Sequence, residues 1–218
     1  MAKETQRKLL TIYEQLYAVL GPSHWWPGET PLEIMVGAIL TQNTSWKNVE
    51  QALDRLKKEG VLSIPALDSA AEEQLAEWIR PAGYFRVKAR RLKNFFRFLQ
   101  ERYAGRIETM ADQDPDSVRE GLLTVNGIGP ETADSILLYG LGMPTFVVDA
   151  YTYRLFSRHA LIPEEADYEA LRAFFLESLP PEVSLYNEYH ALIVRTGKRY
   201  CRNRNPRCGE CPLGNLEL

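Results

Sequence analysis

The sequence predicts an all-α fold, and three observations support that prediction. Apolar residues recur at helical spacing along residues 49–56 and again along residues 133–137. No segment shows the sustained two-residue alternation of a half-buried strand. Asp114 followed by Pro115 is typical of a helix start, because aspartate caps the first turn and proline fits its first position. We therefore expect helices joined by short loops.

Composition excludes several classes of protein. The chain of 218 residues has 45% hydrophobic and 25% charged residues, as ordinary globular proteins do. No stretch approaches the roughly 18 unbroken apolar residues of a membrane span, and the polar N-terminus lacks the core of a signal peptide. We therefore expect a cytoplasmic protein with no membrane partner.

Positive charge is concentrated in two segments, although the net charge is −3. Residues 86–97 and residues 195–207 each carry six basic residues and no acidic one. A single run of this kind is usually a solvated helix face. Two of them in an acidic chain favour a phosphate-facing surface.

Residues 123–140 predict a hairpin of two helices. Residues 126–129 would form the turn, because Gly127 and Gly129 supply the backbone freedom for a tight bend. Pro130 suits the first position of the next helix, where its missing N–H costs nothing. Free N–H groups at that helix start suit a phosphate. The alternative is an ordinary helix–helix turn.

Asp149 opens an apparent helix after Val147 and Val148, and Val147 lies 18 residues beyond Gly129. The hairpin followed by this aspartate resembles the helix-hairpin-helix (HhH-GPD) DNA glycosylases of the endonuclease III type. The resemblance covers most of the chain. It includes "GAILTQNTSWKNVEQAL" (37–53), "RPAGYFRVKARRLKNF" (80–95) and the C-terminal cysteines.

The resemblance implies two helical lobes. One is a helical bundle over residues 31–142 that contains the hairpin at about 123–140. The other combines residues 1–30 with residues 143–218 and holds an iron–sulfur cluster loop at 201–211. Damaged double-stranded DNA would bind a monomer across the cleft between the lobes, which would associate the protein with the nucleoid.

The resemblance also implies a catalytic role for Asp149. Its carboxylate would stabilise the positive sugar in the transition state and would orient or activate water. Family members that also cleave the strand carry a lysine at the position of Glu131, and a carboxylate cannot form a Schiff base. Glu131 therefore implies a monofunctional glycosylase without abasic-site lyase activity. A more ordinary role for Glu131 is to complement the dipole of the first helical turn.

Three of the four tryptophans, Trp25, Trp26 and Trp46, lie close together in the sequence. With the "LTQNT" segment they resemble the 3-methyladenine DNA glycosylase III branch of the family, whose hairpin also pairs "GIG" with a glutamate. An alkylated purine is cationic, and a cation over tryptophan gains up to about 2 kcal/mol when desolvated. We therefore predict that the tryptophans bind the flipped base. Core packing of at least one of Trp25 and Trp26 is the alternative.

Two further polar residues are assigned by the resemblance. Gln42 matches the residue that family members insert into the hole left by the flipped nucleotide. A plain surface role is the alternative. Lys198 is predicted to reach the base pocket or a phosphate, or else to be solvated.

Cys201, Cys208 and Cys211 are the only cysteines of the chain. Three thiols are hard to explain as disulfides in a cytoplasmic protein. Their order resembles the four-cysteine loop of endonuclease III with Glu217 in the fourth position, which implies a [4Fe-4S] cluster. A carboxylate or solvent fourth ligand, a three-iron cluster, a zinc site and a site without metal are the alternatives.

The first hypothesis is therefore a base-excision glycosylase that hydrolyses the N-glycosidic bond of alkylated purines such as 3-methyladenine. Removal of an oxidised pyrimidine or a mismatched base is a rival within the same family. A non-catalytic protein that binds DNA structures is a rival of another class. Asp149 argues against this last rival, because a pure binder has no need of a carboxylate facing an anionic strand.

Overall fold

A computed structural model describes residues 2–26, 28–163 and 165–216, and this part of the chain is helical with no β-strand. The all-α prediction is confirmed for these residues. They form twelve α-helices: α1 (Ala2–Leu20), α2 (Pro31–Leu40), α3 (Trp46–Lys58), α4 (Ile64–Ser69), α5 (Glu72–Trp78), α6 (Phe85–Tyr103), α7 (Ile107–Ala111), α8 (Pro115–Leu123), α9 (Pro130–Ser135), α10 (Ala150–Arg158), α11 (Tyr168–Ser178) and α12 (Val183–Arg199). A π-helical segment, Ile136–Gly140, directly follows α9. Within the same ranges, no helix is long and apolar enough to span a bilayer.

Capping residues explain where several helices begin. Asp114 accepts a hydrogen bond from the backbone N–H of Ser117 at 2.9 Å, and proline occupies the first turn of α8. This confirms the predicted start. Thr30 caps α2 in the same way through the N–H of Glu33. Such caps typically contribute about 1 kcal/mol each.

The chain divides into two compact units. The central unit comprises residues 27–143, and the discontinuous unit comprises residues 1–26 and 144–218. The core of the central unit is built largely from α2, α3, α6 and the hairpin, and both stretches of predicted helical spacing lie in it. Its fully buried members include Met35, Ile39, Val49, Leu56, Leu92, Phe95, Leu99, Ala133, Ile136 and Leu137.

A buried ion pair fastens the two helices of the hairpin. Arg119 on α8 donates from Nε and Nη2 to the two carboxylate oxygens of Asp134 on α9, at 3.0 and 3.1 Å. The Asp134 side chain is fully buried. Bidentate pairing of this kind fixes orientation as well as distance.

The basic run at residues 86–97 has one buried member, so only part of it can contribute to a phosphate-facing surface. Lys88 lies on the buried side of α6, is 1% exposed and donates to the carbonyl oxygen of Ala82 at 2.8 Å. Arg86, Arg90 and Arg97 on the same helix are exposed. The helical period explains the division, because residues spaced three or four apart share one face.

The discontinuous unit is packed around aromatic side chains. Phe146 stacks on Phe175 with ring centroids 3.9 Å apart, and Tyr189 on α12 meets both rings edge-on. The Tyr189 hydroxyl donates to the carbonyl oxygen of Leu9 on α1 at 2.8 Å. Helix α12 therefore holds α1 and the segment that precedes α10 together.

Candidate functional site

The two glycines of the turn between α8 and α9 have different surroundings. Gly127 has φ = +98°, in the left-handed region that favours glycine, and a Cβ there would overlap the Arg91 side chain. Gly129 is exposed, and a Cβ there would meet no atom within 4 Å. Pro130 is the first residue of α9, as predicted. Open space therefore borders the backbone at the start of α9.

Gln42 follows α2 and is bonded to the hairpin. Its Nε2 donates to the carbonyl oxygen of Gly127 at 3.1 Å and to Oγ1 of Thr132 at 2.8 Å. Arg91 donates from Nη1 to its Oε1. The segments that carried the resemblance around residues 42, 91 and 127 therefore meet within the central unit.

Glu131 is the second residue of α9 and is exposed. Its position in the first turn allows its carboxylate to complement the helix dipole. The equivalence of Glu131 to the lysine of strand-cleaving family members stays a prediction from the resemblance.

Asp149 caps α10, which confirms the predicted helix start. Its Oδ1 accepts hydrogen bonds from the N–H and the Oγ1 of Thr152, at 2.8 and 2.9 Å. The Thr152 hydroxyl lies 3.4 Å from the Asp149 N–H and completes a capping box. The Asp149 side chain is 12% exposed. Local sequence thus fixes the position of this carboxylate.

His190 on α12 faces the other oxygen of Asp149. Its Nε2 lies 3.6 Å from Oδ2, and its side chain is 6% exposed. Burial acts to raise the pKa of the Asp149 carboxyl, but the nearby His190 side chain, together with the Thr152 donors, outweighs burial and lowers that pKa. Asp149 is therefore ionised at neutral pH. Sequence reasoning missed His190, because no local pattern links it to a residue 41 positions earlier.

The three tryptophans divide between the units. Trp25 and Trp26 are partly buried in the discontinuous unit and meet edge-to-face, with centroids 5.6 Å apart. The Trp25 indole N–H is buried and has no acceptor in the part of the chain that the structure describes. Trp46 opens α3 in the central unit, packs against its core and donates to Glu50 at 2.8 Å. Their binding of a base stays a prediction.

The second basic run is mostly exposed. Lys198 and Arg199 end α12 with exposed side chains, and Arg202, Arg204 and Arg207 are exposed beyond it. Arg195, by contrast, is turned inward. It donates to the carbonyl oxygens of Leu20 and Gly21, the latter at 2.7 Å.

The cysteine loop fits a cluster in part. Cys201 is buried, Cys208 is exposed and Cys211 is partly buried. Burial raises the pKa of the Cys211 thiol, and the charges of Cys201 and Cys208 raise it further against a hydrogen bond from Leu213. Cys211 is therefore close enough to each of the other two thiols to be affected by their charge. Within residues 2–26, 28–163 and 165–216, however, no three candidate side chains are arranged to hold a single metal ion. Glu217, the predicted fourth position, lies outside the described residues.

Two arginines of α10 hold the start of this loop. Arg154 donates from Nε to the carbonyl oxygen of Cys201 at 2.6 Å. Arg158 donates to Sγ of Cys201 at 3.4 Å and to the carbonyl oxygen of Arg202 at 2.7 Å. Sequence reasoning did not single out either arginine. Charge-assisted bonds of this kind order a loop of low apolar content.

Comparison with known proteins finds relatives that match most of this chain. A provisionally named DNA repair glycosylase of Methanocaldococcus jannaschii, MJ1434, is 50% identical over 204 residues, covering 93% of this chain and 92% of its own. Endonuclease III of Thermotoga maritima is 33% identical over 186 residues, covering 85% of this chain and 81% of its own.

Solved structures show the same fold. A 3-methyladenine DNA glycosylase of H. pylori bound to 1,N6-ethenoadenine superposes with a TM-score of 0.76 at 28% identity, covering 91% of this chain and 97% of its own. A non-covalent endonuclease III–DNA complex superposes with a TM-score of 0.80 at 20% identity, over 95% and 92% of the two chains. The model of the HhH-GPD superfamily of base excision DNA repair proteins matches residues 36–181, and the chain belongs to that family.

Proposed function

We propose that this base-excision DNA glycosylase is monofunctional and hydrolyses the N-glycosidic bond of alkylated purines in double-stranded DNA, with 3-methyladenine as the representative substrate. The observation that carries the proposal is the ionised carboxylate of Asp149, held at the start of α10 and 12% exposed. A buried carboxylate that keeps its charge is suited to stabilise a developing cation.

Asp149 acts on the sugar and not on the leaving base. Alkylation of a ring nitrogen gives the purine a positive charge, which weakens the glycosidic bond without a strong acid. The bond then breaks toward an oxocarbenium-like sugar, whose positive charge Asp149 stabilises while it orients the attacking water. The lowered pKa of Asp149 suits this role, because the group is needed as an anion.

The tryptophans supply selectivity for a cationic base. Trp25 and Trp26 present two ring planes at 78° to each other. Trp46 adds a third indole ring. The name of the H. pylori relative, a 3-methyladenine glycosylase at 28% identity, supports the same substrate class. Stacking on tryptophan favours a cationic purine over a neutral base.

DNA is held by the hairpin and the exposed basic residues. Gly127 permits the tight turn, Gly129 leaves open space for a phosphate at the start of α9, and Gln42, bonded to that turn, fills the space left by the flipped nucleotide. Lys198 and its exposed basic neighbours contact phosphates or the rim of the base pocket. Glu131 at the lyase position offers no amine, so strand cleavage does not follow base removal.

A glycosylase for oxidised pyrimidines is the second candidate, favoured by the 33% identity to an endonuclease III. Glu131 separates the two candidates, because the lyase step of strand-cleaving family members uses an amine.

We also propose that Cys201, Cys208 and Cys211 hold three corners of a [4Fe-4S] cluster. The support is their position on one loop, the effect of the Cys201 and Cys208 charges on Cys211, and the cationic Arg158 beside Cys201. A bound cluster supplies no step of the hydrolysis and fastens a loop that has few apolar side chains. Anaerobically purified protein should be brown, with about four irons per chain. Colourless, iron-free protein with three titratable thiols would contradict the cluster.

The function is tested by excision from a panel of duplexes. Each duplex carries one lesion: 3-methyladenine, 1,N6-ethenoadenine, an oxidised pyrimidine, or a mismatched thymine. We expect release of the alkylated purines and intact strands until alkali is added. Asp149→Asn serves as the control and should bind an abasic-site duplex as tightly as the wild type while excision falls by orders of magnitude. Preferential release of the oxidised pyrimidine would contradict the substrate assignment.

A further inference from the structure

His190 is a buried titratable side chain for which the resemblance supplies no role. It lies in the middle of α12, where the whole residue, backbone included, is 4% exposed. Its neighbours Tyr189 and Ala191 are fully buried. Its Nε2 points at Oδ2 of Asp149, 3.6 Å away. A side chain fixed on a rigid, packed helix is well placed to orient another group.

The two oxygens of Asp149 have different surroundings. Oδ1 accepts both hydrogen bonds from Thr152 and is committed to the cap of α10. Oδ2 takes no part in that cap and is the oxygen that His190 faces. The oxygen left for the reaction is therefore the one whose orientation depends on the histidine.

A carboxylate with so little exposure is costly to ionise unless donors surround it. The groups that offset the burial of Asp149 come from its own helix α10, through Thr152, and from α12, through His190. Both contribute to the lowered pKa of this group against the effect of burial. Removing either group should therefore leave a less stable anion.

We propose that His190 is a positioning residue for the glycosylase reaction, in which its Nε2–H holds Oδ2 of Asp149 in one orientation. An imidazole Nε2–H is a directional donor, so it can fix Oδ2 in place while Asp149 stays the anion that the reaction needs. The 3.6 Å separation is slightly beyond a direct hydrogen bond, and such contacts often shorten when substrate binds. The inference rests on the catalytic role proposed for Asp149.

The test compares two substitutions of similar volume. His190→Gln can still donate from Nε2, whereas His190→Met fills the space without a donor. Single-turnover excision of 3-methyladenine and the affinity for an abasic-site duplex are measured for both, with thermal unfolding as a check on folding. We expect His190→Met to excise about 10- to 100-fold more slowly at unchanged duplex affinity. His190→Gln should recover to within a few-fold of the wild-type rate.

Three results would overturn the inference. Equal slowing by His190→Gln and His190→Met would show that packing matters and the donor does not. Wild-type excision by both variants, with Asp149→Asn inactive, would reject the role of His190 and leave the proposed function standing. Wild-type excision by Asp149→Asn would reject the catalytic role of Asp149 and the inference with it.

Discussion

The side-chain amide of Gln42 donates to the carbonyl oxygen of Gly127 across 3.1 Å, which ties the end of α2 to the turn of the hairpin. Thr132 on α9 accepts a second bond from the same nitrogen, and Arg91 on α6 donates to the amide oxygen. Three helices of the central unit thus converge on one glutamine. The residue proposed to enter the duplex and the turn proposed to bind its phosphate are held as one assembly.

Substitution of Gln42 by alanine should impair excision from duplex DNA more than from single strands. A flipped base leaves a hole only in a duplex, so a residue that fills the hole matters only there. We expect excision from a 3-methyladenine duplex to fall roughly five- to tenfold, as loss of one or two hydrogen bonds would give. Single-turnover rates on both substrates check this. Equal losses on both would assign Gln42 to the stability of the hairpin.

The two hairpin glycines should respond differently to alanine. Gly127→Ala places a Cβ at φ = +98° and against Arg91, so the free energy of unfolding should fall by about 1–3 kcal/mol. Gly129→Ala has open space and should leave stability within about 0.5 kcal/mol of the wild type.

DNA affinity separates these effects. Gly129→Ala should weaken duplex binding at unchanged stability, because the added methyl group stands where the phosphate approaches the backbone. Urea unfolding and fluorescence-anisotropy titration of an abasic-site duplex measure the two quantities. Unchanged affinity of Gly129→Ala would remove the turn from the DNA-binding surface.

Features set by neighbouring residues were predicted from the sequence. The sequence predicts helix starts at Asp114 and Asp149 because an N-cap depends on residues within one turn, and the structure has both caps. The hairpin turn was likewise predicted from its glycines and Pro130. Local chemistry decides such features, and sequence displays local chemistry directly.

Features set by tertiary contacts were not predicted. Lys88 lies within the basic run of residues 86–97, and its burial depends on which face of α6 meets the core. His190 and Glu188 gave no signal, since their partners Asp149 and Ser23 lie 41 and 165 positions away. The roles proposed for residues of α12 depend on contacts with distant segments, which local sequence does not display.

Borohydride should trap no covalent complex between the wild-type protein and lesion-containing DNA. Glu131 offers a carboxylate at the position proposed for the lyase amine, and a carboxylate forms no Schiff base. Glu131→Lys should introduce weak trapping because the side chain is exposed at the start of α9, whereas the matched Glu131→Gln should not. Efficient trapping of the wild-type protein would point to another amine, such as Lys198, and would contradict monofunctional action.

Glu188 on α12 should support base recognition by anchoring the segment before Trp25. Its two carboxylate oxygens accept hydrogen bonds from the N–H and hydroxyl of Ser23, at 2.9 and 2.8 Å. Glu188→Ala should slow excision of 3-methyladenine several-fold and cost about 1–3 kcal/mol of stability, since it leaves these donors unpaired.

The control for that variant is Glu177→Ala, which removes an exposed glutamate on α11. Glu177→Ala should change neither the rate of 3-methyladenine excision nor the free energy of unfolding measurably. If Glu188→Ala excises as fast as Glu177→Ala at equal stability, the anchoring of this segment does not contribute to recognition.

Lys88 should make stability depend on pH in the alkaline range. Burial, with a smaller contribution from the charge of Arg91, lowers the pKa of this lysine from 10.5 to about 8. Between these two values the unfolded chain binds more protons than the folded chain, so the free energy of unfolding should rise with pH relative to a variant without the group. The rise should be complete above pH 10.5 and should not exceed about 3 kcal/mol.

Urea unfolding of the wild type and of Lys88→Met at pH 7, 8.5 and 10 measures this effect. The two proteins differ in free energy of unfolding at pH 7 through the lost hydrogen bond to Ala82 and the altered packing, and this difference serves as the reference. Other titrating groups are common to both proteins, so the change of the difference with pH belongs to Lys88. Stability curves that run parallel from pH 7 to pH 10 would mean that Lys88 keeps its ordinary pKa in the folded protein despite its burial.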